Sequence, residues 1–209
     1  MRHQKIIQTP NGDIMTTDPG QLRKATLQAR DRLSQDEMAV ASEAICDKIL
    51  KLPEIINSQT IFAYVSFRSE VATYKLIESL LAAGKTVAVP ITRVAEKRLD
   101  AVKITSISDD LEPGYCKIPE PTDTLCRTNT IVPDTIGVIL LPGSVFDKRG
   151  GRFGYGGGYY DRFVSNIPDA FRIGLAYDLQ IVEKIPLQPH DELLDYVVTP
   201  SAVYKGNRK

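Results

Sequence analysis

Between residues 20 and 50 the apolar positions of this chain recur at helical spacing, and from residue 60 onward such segments alternate with short continuous apolar runs. Leu22 to Leu33 reads as a polar, arginine-rich helix. Ser34-Gln35-Asp36-Glu37 then has the form of a capping box before Met38, Ala41, Ile45 and Ile49, which predicts a second helix ending near Pro53. Thr60 to Phe67, rich in β-branched and aromatic residues, reads as a buried strand. Leu76, Ile77, Leu80 and Leu81 follow on a helix closed by Gly84, and Lys85 to Pro90 is the next strand. Strand, helix, strand in this order predicts a right-handed βαβ unit within a parallel sheet.

The same alternation continues. A strand is expected over Leu99 to Ile104, and the proline-rich segment Glu112 to Pro121 reads as an ordered surface loop. Thr135 to Leu141 is unbroken apolar sequence, as a central parallel strand covered on both faces requires. Gly158 to Ser165 predicts a short helix, Phe171 to Ala176 a strand and Tyr196 to Thr199 a last one. The fold class is therefore α/β, a single three-layer α/β/α domain with a mostly parallel sheet, spanning residues 21–209. Residues 1–20 carry turn signals at Asn11-Gly12 and Asp18-Pro19-Gly20 and little periodicity, and read as a flexible N-terminal extension.

Composition narrows the function classes. Lysine plus arginine equals aspartate plus glutamate at 26 each, so the broad positive field of a nucleic-acid binder or a polybasic membrane patch is not expected. No stretch has the length of a signal-peptide core or of a membrane span, which points to a cytoplasmic protein with no membrane partner. The three cysteines, Cys46, Cys116 and Cys126, form no CxxC pair and read as small apolar residues, not as a disulfide framework or a zinc site. A monomer is expected.

The chemistry concentrates in one place. Directly after the apolar run ending at Pro142, the stretch from Gly150 to Arg162 holds six of the fourteen glycines within nine positions. Glycines between a strand and a helix let main-chain N–H groups close on an anion. The spacing fits neither common nucleotide fingerprint: Tyr159 stands where GxGxxG counted from Gly154 needs its last glycine, and no Gly-Lys-Ser/Thr follows. Arg152, Tyr159, Tyr160 and Asp161 add bidentate phosphate donors, phenol faces and a carboxylate suited to Mg²⁺, and the composite reads as a magnesium-nucleotide site. Read without further context, the carboxylates Glu70 and Asp191 are ordinary solvated groups, Arg23 and Lys24 a solvated helix face, and the tyrosines half-buried core.

The order PGSVFDKRGGRFGYGGGYYDR, Pro142 to Arg162, closely resembles the signature of the 5-formyltetrahydrofolate cyclo-ligase family, also called 5,10-methenyltetrahydrofolate synthetases. The likeness extends through the helix start at Leu22-Arg23, through Ser66 to Thr73 and through Val182 to Asp195. It implies a fold akin to the phosphosugar isomerase and coenzyme A transferase group. It also implies ATP-dependent closure of 5-formyltetrahydrofolate to 5,10-methenyltetrahydrofolate, with release of ADP and phosphate and a requirement for Mg²⁺.

By the same resemblance, Arg152, Tyr159 and Asp161 are catalytic. Arg23, Lys24 and the loop Arg152, Phe153, Gly154, Tyr155, Gly156, Gly157, Gly158, Tyr159 and Tyr160 hold ATP. Val65, Phe67 and Glu70, with Tyr155 to Tyr159, hold the folate, Glu70 accepting two hydrogen bonds from the pteridine ring. Asp161 and Asp191 hold Mg²⁺. The chain departs from some members, which carry an arginine and a lysine where it has Tyr155 and Gly157, and a lysine where it has Pro19. The alternative is a non-catalytic folate- or nucleotide-binding protein on the same scaffold.

Overall fold

The computed structural model describes residues 7–8, 14–15, 18–187 and 192–208. Two short strands, β1 (Ile7–Gln8) and β2 (Ile14–Met15), pair antiparallel on either side of Asn11-Gly12. Helix α1 (Pro19–Arg30) starts earlier than its periodicity suggests, because Asp18 caps it by accepting from the Gln21 N–H at 2.8 Å and Pro19 sits in its first turn. The capping box of α2 (Gln35–Ile49) forms as read: Ser34 accepts from the Glu37 N–H and the Glu37 carboxylate accepts from the Ser34 N–H. This helix ends at Ile49, short of Pro53, which instead opens the separate short helix α3 (Pro53–Asn57).

Strand β3 (Thr60–Ala63), helix α4 (Tyr74–Ala82) and strand β4 (Thr86–Arg93) make the expected parallel βαβ unit, with Ile61 opposite Val87. Strand β5 (Arg98–Ile104) returns antiparallel to β4. After the one-turn helix α5 (Ile107–Asp110), the proline-rich stretch, expected as an ordered surface loop, forms a small antiparallel ladder of β6 (Leu111–Pro113) and β7 (Pro119–Pro121). Pro113 and Pro119 face each other there, which a two-stranded ladder tolerates because it has open edges. Helix α6 (Asp123–Thr128) precedes the central strand β8 (Val138–Leu141), which is shorter than the apolar run that foretold it.

The chain then makes β9 (Val145–Asp147) and β10 (Arg152–Phe153), the helix α7 (Tyr159–Ser165) and strand β11 (Phe171–Leu175). It finishes with β12 (Ile181–Val182), β13 (Tyr196–Val198) and β14 (Val203–Lys205). The main sheet runs β14-β13-β11-β8-β3-β4-β5, parallel except for its two edges. Strands β10-β9-β12 form a second, three-stranded sheet.

Alternation along the central strands sorts the core into two layers. Ile61 and Ala63 of β3 and Val138 and Leu140 of β8 pack with Ile45, Ile49, Leu76 and Leu80 of α2 and α4. Phe62, Ile139 and Leu141 face the other way, onto Phe163 and Val164 of α7, where the Phe62 and Phe163 ring centroids are 4.4 Å apart. A third cluster, Val145, Phe153 and Ile185 against Leu22, docks α1 onto the small sheet. Among the described residues no helix is long and apolar enough to cross a membrane.

Candidate functional site

The carboxyl ends of β3 and β8 open onto one cavity of about 500 Å³, the position where an open parallel sheet leaves room for a ligand. Its first wall is the loop after β3. That loop is held stiffly: the Ser66 N–H donates to Thr73 Oγ1 at 2.9 Å, the Thr73 N–H returns to Ser66 Oγ at 3.1 Å, and the Tyr177 hydroxyl donates to the Glu70 carbonyl at 3.0 Å. Val65, Phe67 and Glu70 all face the cavity. Glu70 is half-buried, and burial pushes its carboxyl above the ordinary value, against the pull of the Tyr155 hydroxyl, the Phe67 N–H and the Arg30 charge.

The second wall is the glycine loop. A tight turn after β9 launches it, built on Asp147, a wholly buried carboxylate that accepts from the N–H groups of Arg149, Gly151 and Ile185, each at 2.9 Å, and from the Arg149 guanidinium at 2.6 Å. Gly150 is obligatory in that turn: its φ is +90°, and a Cβ would lie 2.3 Å from the Leu194 carbonyl oxygen. Part of the glycine density is therefore structural, a turn that needs positive φ, and not all of it serves a ligand. Gly156, with φ +97° and open space where a Cβ would stand, belongs instead to the loop's tip.

Arg152 leaves β10 buried, donating to the Pro142 carbonyl at 3.0 Å and pairing with Asp161 on the first turn of α7. Tyr155 reaches across to Glu70, its hydroxyl donating to Oε1 at 2.5 Å, and burial drives the phenol's pKa upward. Tyr160, beside Arg152, is pushed up by burial in the same way.

Of the residues singled out from sequence, Val65, Phe67, Glu70, Arg152, Gly154, Tyr155, Gly157, Gly158, Tyr159, Tyr160 and Asp161 line this one cavity. Phe153 and Gly156 are on the same loop without lining it; Phe153 turns into the cluster with Val145 and Ile185. Arg23 lays its guanidinium 4.8 Å from the centroid of the Phe153 ring, and its buried Nε has no partner among the described residues. Lys24 is exposed on α1. Asp191 lies outside the described residues, and among the described ones no three acidic, histidine or cysteine side chains converge as a metal cluster. The cysteines divide: Cys46 is buried as expected, whereas Cys116 is exposed at the cavity.

Sequence reasoning missed three lining residues with specific bonds. Arg30, at the end of α1, donates from Nε to Ser69 Oγ at 3.1 Å and from Nη1 to the Tyr155 hydroxyl at 2.9 Å. Glu120 is buried and accepts from the N–H groups of Thr92 and Tyr115, each at 3.0 Å, which pins the β6–β7 ladder against β4. Tyr115 thereby stands at the cavity. Only the IPEP sequence before and after Glu120 hinted that this segment is ordered.

These features define an α/β protein whose ligand cavity lies at the carboxyl ends of a parallel sheet, between an acidic loop and a glycine loop. Its kinship is more specific. The model of the 5-formyltetrahydrofolate cyclo-ligase family matches residues 15–200, and the chain belongs to that family. It is 30% identical over 180 residues to the 5-formyltetrahydrofolate cyclo-ligase of Escherichia coli, covering 85% of this chain and 98% of that one. To the mouse 5-formyltetrahydrofolate cyclo-ligase it is 29% identical over 183 residues, covering 84% and 90%. Among solved structures, it resembles 5,10-methenyltetrahydrofolate synthetase from Aquifex aeolicus with a TM-score of 0.78 at 29% identity, covering 91% of this chain and 93% of that one. The Mycoplasma pneumoniae synthetase gives 0.69 at 25%, covering 88% and 99%.

Proposed function

We propose that this cavity is where the chain carries out its family's reaction, the ATP-dependent cyclisation of 5-formyltetrahydrofolate to 5,10-methenyltetrahydrofolate with release of ADP and phosphate. One observation carries the placement. A half-buried acceptor, Glu70 in the loop after β3, and a buried phosphate-type donor, Arg152 of β10, face the same space, as a reaction joining a folate to a nucleotide needs.

The formyl amide is a poor electrophile, so its oxygen must first become a leaving group. The formyl oxygen attacks the γ-phosphorus of ATP, the bond to ADP breaks, and N10 then adds to the formyl carbon, loses its proton and expels phosphate. No protein nucleophile is needed, and the chain's task is to position two substrates and neutralise charge. Arg152 and the loop from Phe153 to Tyr160 would hold the triphosphate, with Arg23 and Lys24 reaching it from α1; the buried Nε of Arg23, without a partner among the described residues, suits an anion. Val65, Phe67 and Glu70 would hold the pteridine, and Tyr159 would touch both ligands. Asp161 offers a carboxylate at the cavity, a donor type that fits Mg²⁺, and with Asp191 it would hold the ion, whose charge offsets that of the phosphate oxygens.

The decisive measurement is growth of the methenyl product's near-ultraviolet absorbance from purified protein, Mg-ATP and 5-formyltetrahydrofolate. Absence of that absorbance while folate binds normally would return the chain to the binding-protein alternative. Glu70→Gln should lose folate affinity and keep that for ATP.

A further inference from the structure

The Tyr155 hydroxyl occupies a position with two opposed demands. It accepts from Arg30 Nη1 at 2.9 Å and donates to Glu70 Oε1 at 2.5 Å, so a fixed donor and a fixed acceptor stand one atom's breadth apart at the cavity wall. Arg30 is only 5% exposed, and its guanidinium is oriented from behind: Nε donates to Ser69 Oγ, Ser69 in turn donates to Asp31, and Nη1 also meets the Gly143 carbonyl at 3.3 Å. A buried arginine locked in this way is costly to keep unless something answers it. A phenol from the glycine-flanked tip of the loop is a weak answer for a permanent role and a suitable stand-in for a ligand.

A reduced pteridine presents, in a row along one edge, the C2 amino group, N3–H and the C4 carbonyl: donor, donor, acceptor. One carboxylate takes the two donors, and the carbonyl then needs a donor beside that carboxylate. We infer that Arg30 and Glu70 act as a pair that reads this edge, Glu70 taking the amino group and N3–H and Arg30 donating to the C4 oxygen, with the Tyr155 hydroxyl displaced when folate enters. This rests on the placement of the pteridine against Glu70 proposed above. Arg30 then contributes to specificity: a 4-amino ring offers it a donor instead of an acceptor, besides lacking the N3–H that Glu70 takes, and a site built to hydrogen-bond one group discriminates strongly against its opposite.

The test compares kcat/KM, at saturating Mg-ATP, for 5-formyltetrahydrofolate and its 4-amino counterpart in the wild-type protein, Arg30→Met, Arg30→Lys and Glu70→Gln. The wild-type protein should prefer the 4-oxo substrate. Arg30→Met should lower that preference by roughly 10-fold or more, through KM for folate and with KM for ATP unchanged. Arg30→Lys should fall between the two. As a ratio within one preparation, the preference does not depend on the fraction of variant that folds, and Arg30→Lys supplies the same ratio if Arg30→Met does not fold. An unaltered ratio in the Arg30 variants, with folate affinity lost in Glu70→Gln, overturns the role of Arg30 alone. Unaltered folate affinity in Glu70→Gln overturns the placement of the pteridine, and this inference with it.

Discussion

Tyr155 and Glu70, 85 positions apart in sequence, share a hydrogen bond of 2.5 Å across the mouth of the cavity, so the glycine loop's own phenol engages the acceptor proposed for the substrate. With the pteridine placed against Glu70 as proposed, folate breaks this contact on entering. Tyr155→Phe removes the competing hydroxyl while keeping the ring, and folate should bind at least as tightly as in the wild-type protein, with a gain of about 10-fold matching the low end of the worth of a hydrogen bond to a charged group. Isothermal titration with 5-formyltetrahydrofolate decides this; a 10-fold or greater weakening would mean that the hydroxyl bonds the substrate directly.

Glu70 also sets an expected pH dependence. Its carboxyl is raised by burial above the ordinary 4.5, and only the ionised form accepts two donors. A raised carboxylic acid is protonated earlier as pH falls, so folate affinity should decline at a higher pH than an ordinary glutamate would set. Folate dissociation constants measured against pH should show this inflection in the wild-type protein. The inflection should vanish in Glu70→Gln, and its persistence there would assign the titration to another group.

The relation between sequence and structure differs from element to element. The capping box at Ser34 and the βαβ unit around α4 were legible because cap and period are local signals. The direction of β5 was not read from sequence: a strand over Leu99 to Ile104 was expected in a mostly parallel sheet, and only with β4 extended to Arg93 is the connection 94–97 seen to be too short for a parallel crossover. The sheet of β9, β10 and β12 was not legible, since two- and three-residue strands are too short to show a period. Within the site, the glycine loop announced itself by composition. Arg30 did not, because on an arginine-rich helix a buried side chain and a solvated one look alike until the chain closes Ser69 and Tyr155 over it.

Asp161 joins the proposed metal site to the phosphate site, since it pairs with the buried Arg152 and faces the cavity. Asp161→Asn keeps the shape, removes the charge that would bind Mg²⁺ and leaves Arg152 without its counter-ion. Turnover should drop by at least ~10-fold, given how much of phosphoryl transfer rests on metal electrostatics and on exact placement of the phosphate. Initial rates of methenyl formation across a magnesium titration provide the readout, and equal rates in variant and wild type would remove Asp161 from the site.

Asp147 tests the scaffold rather than the chemistry. Its carboxylate is wholly buried and answers three backbone N–H groups and the Arg149 guanidinium, so Asp147→Ala strands the three N–H groups and leaves Arg149 only the Ile185 carbonyl. A loss of about 3–5 kcal/mol is expected, as for a broken buried ion pair, together with a disordered start to the glycine loop. Burial by itself would raise this carboxyl, but the hydrogen bonds from Ile185, Arg149 and Gly151 outweigh it and hold the group below its ordinary 3.8. A lowered folded-state value means that the contribution is fully present above the unfolded pKa and is lost as pH falls through the folded one. The wild-type protein should therefore lose stability in the acid range at and below 3.8 more steeply than Asp147→Asn, whose side chain does not titrate. Urea denaturation at a series of pH values would separate the two, and parallel acid slopes would show that the turn is held by something other than the charge on Asp147.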